Sequence, residues 1–361
     1  MVVGGCSYYE PELGPAYEPW GFPDDALPPN LRLVHAATLA SSGHNTQPWS
    51  FRVEDRQIEL RAVPGRHTGT LDPLRREATI GLGCALQNLE IAAVVEGFEP
   101  LTTLYPSVDE PSLAARIELQ PSTPREHPLY ASIATRHTNR GKYGDFVLSD
   151  ALYAHLERNL DGIPDVRLIL LRSDDEKRAF RQGTIAATEA IIGDHEMHAD
   201  SDAWFRHTHE EITEHRDGIT LDASGLGAAT RFFGKSGKRP TLERSGSFWL
   251  KGTEARQTTG SAFGILATPT LDDSTQAVWA GFAWQRLHLW MQSVGLSAQP
   301  LNQMAERRDR ERTAGLEPRF GAQLEEFTGP ELNAQLLFRL GYAWDDPFRS
   351  PRRPVDWVVE S

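Results

Sequence analysis

Apolar positions along the chain follow two rhythms, and the order of those rhythms recurs. Trp49 to Val53 and Ile58 to Val63 alternate apolar and polar residues around Glu54-Asp55-Arg56-Gln57, which predicts a hairpin. From Arg76 to Glu96 the apolar positions Ala78, Leu82, Ala85, Leu86, Leu89, Ala93 and Val94 keep a 3.6-residue period, closed by Gly97. The first half of that helix carries Gly81, Gly83, Cys84 and Ala85, small enough for another backbone to approach closely. Leu31 to Leu39 predicts a short helix after the Pro28-Pro29-Asn30 start signal. Ala114 to Leu119 reads as a strand and Gln120 to His127 as a junction.

The grammar then returns. Leu129 to Thr135 and Ser149 to Asn159 predict short helices, Val166 to Leu171 a buried strand and Asp174 to Ile192 a long helix. Phe263 to Ala267 is a short apolar run before Pro269. Thr275 to Val294 is apolar on more than one face, through Trp279, Phe282, Trp284, Leu287, Trp290 and Met291, which predicts a central helix. Asp272, Asp273 and Ser274 are its cap candidates and Gly295 its terminator. Gln335 to Ala343 reads as a strand, and Asp345 to Pro354 as a polar, Arg-rich tail leaving the core.

Two segments break the rhythm. Residues 1–30 are rich in Pro, Glu, Tyr and Gly and predict an irregular arm that packs Tyr8, Tyr9, Tyr17, Trp20 and Phe22 onto the body. Between Glu196 and Thr259 the periodicity is poor, which predicts a lid or insertion. The expected organisation is therefore an arm (1–30), a first half (31–125), and a second half (126–361) carrying a lid-like insertion (196–259).

Charge narrows the function classes. The net charge of −13 over 361 residues argues against a general binder of nucleic acid or anionic membrane, since phosphate attraction needs a cationic surface. The basic runs Arg231 to Arg239 and Arg307 to Arg312 read as solvated faces. Cys6 and Cys84 are too few for a disulfide framework or a zinc ribbon. His195, His198, His207 and His209 with their neighbouring carboxylates match no familiar ligand spacing, so no metal is expected. With no secretory signal and no apolar run of spanning length, the expectation is a cytoplasmic chain.

Four stretches carry candidate chemistry. The first is Ser41-Ser42-Gly43-His44-Asn45-Thr46-Gln47-Pro48-Trp49, where a glycine ends a helix and leaves hydroxyl and amide groups free for a ligand. The second is Arg136-His137-Thr138-Asn139-Arg140, whose two guanidinium forks and intervening hydroxyl suit a phosphate monoester. The third is Gly295-Leu296-Ser297-Ala298-Gln299-Pro300-Leu301, a turn after the most apolar helix. The fourth is Leu340-Gly341-Tyr342-Ala343 followed by Arg349-Ser350-Pro351-Arg352-Arg353-Pro354. The glycine spacings at Gly81-Leu82-Gly83 and Gly234-Lys235-Ser236-Gly237-Lys238-Arg239 fit neither a dinucleotide fingerprint nor a P-loop. No Gly-x-Ser-x-Gly elbow occurs.

In this order the four stretches resemble the FMN-dependent nitroreductase superfamily, and most closely its Acg-like branch, in which two nitroreductase halves are fused in one chain. Asp72-Pro73-x-x-Arg76-Glu77-Ala78-Thr79-Ile80, Trp204-Phe205-Arg206-His207 and Arg216-Asp217-Gly218-Ile219 also look like that branch. Two departures stand out: Thr138 where the family usually has Ser, and Ala343 where it has Pro.

The resemblance implies an α+β nitroreductase-like fold, a tandem intrachain pseudo-dimer with mixed or antiparallel sheets flanked by helices. It implies FMN as cofactor, held by Ser41, Ser42, Asn45, Gln47, Arg136, His137, Thr138, Arg140, Gln299, Pro300, Leu301, Arg352 and Arg353. It also implies NAD(P)H as a transient co-substrate and a nitroaromatic or quinone as acceptor, with no residue assigned to catalysis. Only one Arg-x-Thr-x-Arg motif is present, so the resemblance implies one flavin site in a monomer and a degenerate second pseudo-site. Two other readings stay open: a protein that sequesters FMN without turnover, and a fold relative without flavin that serves as a scaffold or a non-redox tailoring enzyme.

Overall fold

The computed structural model describes residues 9–21 and 27–360. Cys6, Tyr8 and Phe22 lie outside the described residues. In the first half come α1 (Pro29–Thr38), β1 (Trp49–Val53), β2 (Gln57–Ala62), α2 (Arg76–Val95), β3 (Phe98–Leu104) and β4 (Leu113–Pro121). The strands form an antiparallel sheet in the order β1-β2-β4-β3, with Phe51 opposite Leu60 and Leu60 opposite Ala115. Strand β3 has no counterpart in the sequence reading. Its Pro100 is tolerated because β3 is an edge strand.

The second half begins with α3 (Tyr130–Ile133), α4 (Asp150–Arg158), β5 (Arg167–Leu171) and α5 (Asp174–Gly193). Then follow α6 (His195–Asp202), β6 (Phe205–Arg206), α7 (His209–His215), β7 (Ile219–Thr220), α8 (Ala228–Ser236) and α9 (Leu242–Gly252). It ends with β8 (Ala262–Thr268), α10 (Ser274–Ser293), β9 (Ser297–Pro300), α11 (Gln303–Ala314), α12 (Arg319–Thr328) and β10 (Asn333–Gly341). The second sheet is also antiparallel, in the order β5-β8-β10-β9. Strand β5 is its edge and is only partly covered, so the expectation of a buried strand at Val166 to Leu171 is corrected. The strand buried along its whole length is β8.

Helices α2 and α10 are the spine between the two sheets, and glycines set their spacing. A Cβ on Gly83 would stand 1.9 Å from the Val278 carbonyl oxygen, and one on Gly281 would stand 1.9 Å from the Ile80 carbonyl oxygen. The contact is reciprocal, each helix giving a glycine to the other's backbone. Cys84 Sγ donates to the Gly281 carbonyl at 3.2 Å in the same interface. Helix α2 is long and apolar enough to cross a membrane by length and composition, but most of it is buried inside the protein.

Two terminal segments bind the halves together. Tyr9, Tyr17 and Trp20 of the arm are buried, and Trp20 Nε1 donates to the Ser350 carbonyl at 2.7 Å. The C-terminal segment does not leave the core as the sequence suggested. Arg352 N donates to the Ala16 carbonyl at 2.7 Å, and Phe51 N of β1 donates to the Val358 carbonyl at 2.7 Å. The chain therefore ends against the outer edge of the first sheet.

Helix α11 overturns another expectation. The run Arg307 to Arg312 is no solvated face: Arg307, Arg308, Asp309 and Glu311 are buried. Asp309 lies between Arg76 at 2.7 Å and Arg308 at 2.8 Å. Glu311 accepts from Phe320 N at 3.1 Å and from Gly321 N at 3.2 Å, satisfying the free amides that begin α12.

Candidate functional site

A cleft of about 1050 Å³ lies where the two halves meet. The loop after α1 forms one wall. His44, Asn45 and Gln47 all adopt left-handed backbone, at φ 46°, 57° and 50°. Such geometry in non-glycine residues costs about 1 kcal/mol or more each, and persists only where neighbours enforce it.

Here the neighbours come from three directions. Ser41 N donates to Gln285 Oε1 of α10 at 3.2 Å, and Gln285 Nε2 donates to Asn88 Oδ1 of α2 at 2.8 Å. Asn45 Nδ2 donates to the Gly218 carbonyl at 3.2 Å and the Pro351 carbonyl at 2.9 Å. Gln47 Nε2 donates to the Arg216 carbonyl at 2.8 Å, while Gln47 Oε1 accepts from Arg353 N at 2.9 Å. The helical spine, the 196–259 segment and the C-terminal segment thus all hold one loop.

Three guanidiniums converge on the same cleft. Arg136 donates Nη2 to the Leu39 carbonyl at 3.0 Å, and its Nη1 meets His288 Nδ1 at 3.3 Å. Arg140 donates Nη1 to the Ala223 carbonyl at 3.1 Å. Arg352 donates Nη1 to Asn45 Oδ1 and Nη2 to the Ala40 carbonyl at 3.4 Å. None of the three has a carboxylate partner among the described residues, and Arg136 Nε and Arg352 Nε are buried without any partner.

Burial pushes Arg136 and Arg140 each down to about 10. Arg352 is held well below the usual arginine value by burial and then by repulsion from the other two. His288 is likewise driven well down, by burial and by Arg136, so its ring is neutral and its Nδ1 serves as an acceptor. Uncompensated buried cations are costly, and an anion in the cleft would relieve all three at once.

The opposite end of the cleft is acidic. Glu77 from α2 and Glu306 from α11 both line it, beside Gln303. Burial pushes Glu77 up to about 7 against the opposing pull of Arg76, with Asp72 and Asp309 adding to the rise. Burial and then Glu77 itself hold Glu306 well above the carboxylate range.

The mouth belongs to the 196–259 segment. Phe233, Phe248 and Trp249 line it together with Lys238, Arg239, Arg244, Lys251 and Arg256. Phe233 and Phe248 are exposed while lining the cleft, so it reaches the surface there.

Of the residues singled out from the sequence, Ser41, Ser42, Asn45, Arg136, His137, Thr138, Arg140, Gln299, Pro300 and Arg352 are brought together in the cleft wall. Three are not. Gln47 spends its amide clamping Arg353 N and the Arg216 carbonyl. Arg353 points its own Nη2 to the Trp357 carbonyl at 2.7 Å, so Arg352 is the arginine of that pair that faces the cleft. Leu301 is buried in the apolar cluster with Phe263 and Met304 behind the second sheet.

No protein-family model matches the chain. Over 132 residues it is 32% identical to a Mycobacterium tuberculosis protein named "Putative NAD(P)H nitroreductase", a match covering 36% of this chain and 38% of that one. A second M. tuberculosis protein of that name, acg, is 31% identical over 110 residues, 30% of this chain and 33% of the relative. The chain thus spans well under half the length of these relatives. Over these stretches the chain is similar to proteins named as NAD(P)H nitroreductases.

A longer M. tuberculosis relative, described as an "Uncharacterized protein", is 26% identical over 92% of this chain and 48% of its own length. Among solved structures, an FMN- and NADPH-dependent nitroreductase from sphigopyxis sp. strain HMH superposes over 64% of this chain and 98% of its own, with a TM-score of 0.39 at 14% identity.

The acidic residues of the cleft were not among those that the sequence pattern singled out. Glu77 stands inside the Asp72-to-Ile80 run, where the pattern gives it no role of its own, and Glu306 lies in a helix with almost no apolar residues. One signal was present: a helix as polar as Gln303–Ala314 can be buried only if its charges find partners on neighbouring elements.

Proposed function

We propose that the chain is an FMN-dependent oxidoreductase that accepts hydride from NAD(P)H and passes electrons to an electron-poor small molecule of the nitroaromatic or quinone type. The observation that carries this reading is the convergence on one cleft of buried Arg136 and Arg352 and half-buried Arg140, none with a carboxylate partner among the described residues. The donor set fits the group: two buried Nε atoms and Ser41 Oγ lack partners, and a phosphate monoester accepts from all such donors.

When bound, FMN would supply the two-electron chemistry. The chain's own residues would do the rest. Arg136, Thr138, Arg140 and Arg352 bind and neutralise the phosphate, and neutral His288 keeps Arg136 in place without adding a competing charge. Ser41, Ser42 and Asn45 close the site from the first half, and the Gln299–Pro300 edge of β9 closes it from the second. Gln299 is fixed there because its Oε1 accepts from Arg339 Nε at 2.9 Å and Nη2 at 2.6 Å. The mouth at Phe233 and Phe248 admits flat apolar substrates, and its lysines and arginines draw in anionic ones.

The test is the visible spectrum of the protein purified without added cofactor, followed by anaerobic mixing with NADH or NADPH. Flavin bands that bleach with either nucleotide and return with a quinone are expected. A colourless protein that fails to take up added FMN overturns the cofactor. Flavin bands that only dithionite removes overturn the reductase and favour sequestration.

A further inference from the structure

The acidic end of the cleft contains more carboxylates than its cations can balance. Asp72, Glu77, Glu306 and Asp309 face Arg76 and Arg308. Asp309 takes both guanidiniums, with Arg76 Nε at 2.7 Å and Arg308 Nη2 at 2.8 Å. Asp72 accepts from the amides of Glu77 and Ala78 at 3.0 Å each, at the start of α2. That arrangement commits both guanidiniums to Asp309, leaves Glu77 only a long ion pair with Arg76, and gives Glu306 no ion pair among the described residues. Arg76 Nη2 stands 3.6 Å from Glu77 Oε1, beyond hydrogen-bond reach.

The two glutamates line the same cleft, Glu77 from α2 and Glu306 from α11, and Glu77 is the neighbour that most raises Glu306 after burial. Two neighbouring buried carboxylates strongly disfavour carrying both charges, so at rest the pair holds one proton. Its polar atoms are also incompletely used. Glu77 Oε1 and Glu306 Oε2 have no hydrogen-bond partner, and neither does Oε1 of the adjacent Gln303, which is buried and lines the cleft beside them. The unused amide oxygen on a third residue marks a place for a ligand that donates a hydrogen bond. Glu77 is also pressed against the cofactor loop: a Cβ on Gly43 would lie 2.7 Å from its Oε2.

We propose that Glu77 and Glu306 share one proton at neutral pH and are the internal acid of the cleft, giving that proton to an oxygen of the acceptor as it is reduced, with Gln303 accepting from the resulting hydroxyl. This rests on the oxidoreductase reading. The balance is that of a carbonyl or quinone reduction. The C=O π bond breaks as hydride from the reduced cofactor adds to the acceptor, and the electron pair left on oxygen forms an O–H bond with the glutamate proton. The glutamate pair is left with both carboxyls ionised until solvent returns the proton. Such a residue contributes typically 10²–10⁴-fold to rate. The proposal also narrows the acceptor to one protonated on oxygen as it is reduced, rather than a one-electron carrier.

The first arm of the test needs no cofactor. Infrared spectra of the protein at neutral pH should show a protonated-carboxyl stretch that shifts in D₂O and is lost in the isosteric variant Glu306→Gln. Its absence from the wild type overturns the shared proton. The second arm follows oxidation of the prereduced, flavin-loaded protein by a quinone. Wild-type rates should fall as pH rises through neutrality and show a solvent deuterium effect. Glu306→Gln should be slowed on the order of 10²-fold with a flat pH profile. A variant that keeps the wild-type rate and profile overturns proton delivery. If the protein binds no flavin, the oxidoreductase reading fails in its own right, and the infrared arm still decides whether the proton is there.

Discussion

At the scale of single residues, the cleft is defined by charges that the protein leaves unbalanced. Arg352 shows this best, because it reaches the site from the far end of the chain, stacks over Trp20 at 4.6 Å and spends its donors on Asn45 and backbone carbonyls. Arg352→Ala is expected to weaken FMN by roughly 1.5–3 kcal/mol, the scale of charge-assisted hydrogen bonds. Fluorescence titration reads this directly, and an unchanged affinity would mean that the arginine only ties the C-terminal segment down. At the acidic end, linkage supplies a second expectation. Glu77 is raised from 4.5 to about 7, so between those values the folded state binds more protons than the unfolded one. Stability from the raised Glu77 is therefore full below about pH 4.5 and lost as pH rises through 7, and Glu306 shifts in the same direction. Glu306→Gln removes part of that loss and should stabilise the protein more at alkaline than at acidic pH. Urea denaturation of both proteins at two pH values checks it, and equal differences at both would contradict the raised pair.

At the scale of elements, some of the architecture could be read from the sequence and some could not, for physical reasons. The hairpin β1-β2, helix α2 and helix α10 could be read because each carries its own period and its own stop signal within a short window. Even the close approach of α2 to a neighbour could be read from Gly81, Gly83 and Cys84, although not the partner, Gly281. Helix α11 and the last residues could not be read that way, because what buries them is far away in sequence: Asp309 answers Arg76, and Phe51 answers Val358. The resemblance named both Arg352 and Arg353, and only the path of the chain shows that Arg352 is the one turned inward. The α2–α10 contact makes a sharp expectation. A methyl group on Gly281 would meet the Ile80 backbone, which cannot rotate away as a side chain could. Gly281→Ala should destabilise the protein by about 3 kcal/mol, the upper range of overpacking, and loosen flavin with it, since Gln285 of the same helix holds Ser41. Thermal denaturation with and without FMN reads both effects.

At the scale of the whole molecule, both halves of one polypeptide contribute to a single cleft. The Ser41–Asn45 loop belongs to the first sheet's half and Arg136, Arg140 and Arg352 to the second, yet all line one cleft. The α2–α10 spine is nearly reciprocal, but the site is not. Only one Arg-Thr-Arg run exists, and the segment 196–259 covers one cleft with helices α6 to α9 and leaves it open at Phe233 and Phe248. On the proposed reading both contributions to the site come from one polypeptide, so no second copy is required to complete it. We therefore expect one FMN per chain and a cofactor content that does not fall on dilution. Analytical ultracentrifugation with flavin absorbance, carried from high to low protein concentration, measures both together. A monomer that keeps one flavin is the expected result. Two flavins per chain would mean that the second pseudo-site is intact despite lacking its arginines. Flavin lost as a dimer dissociates would mean that part of this cleft is still built between subunits.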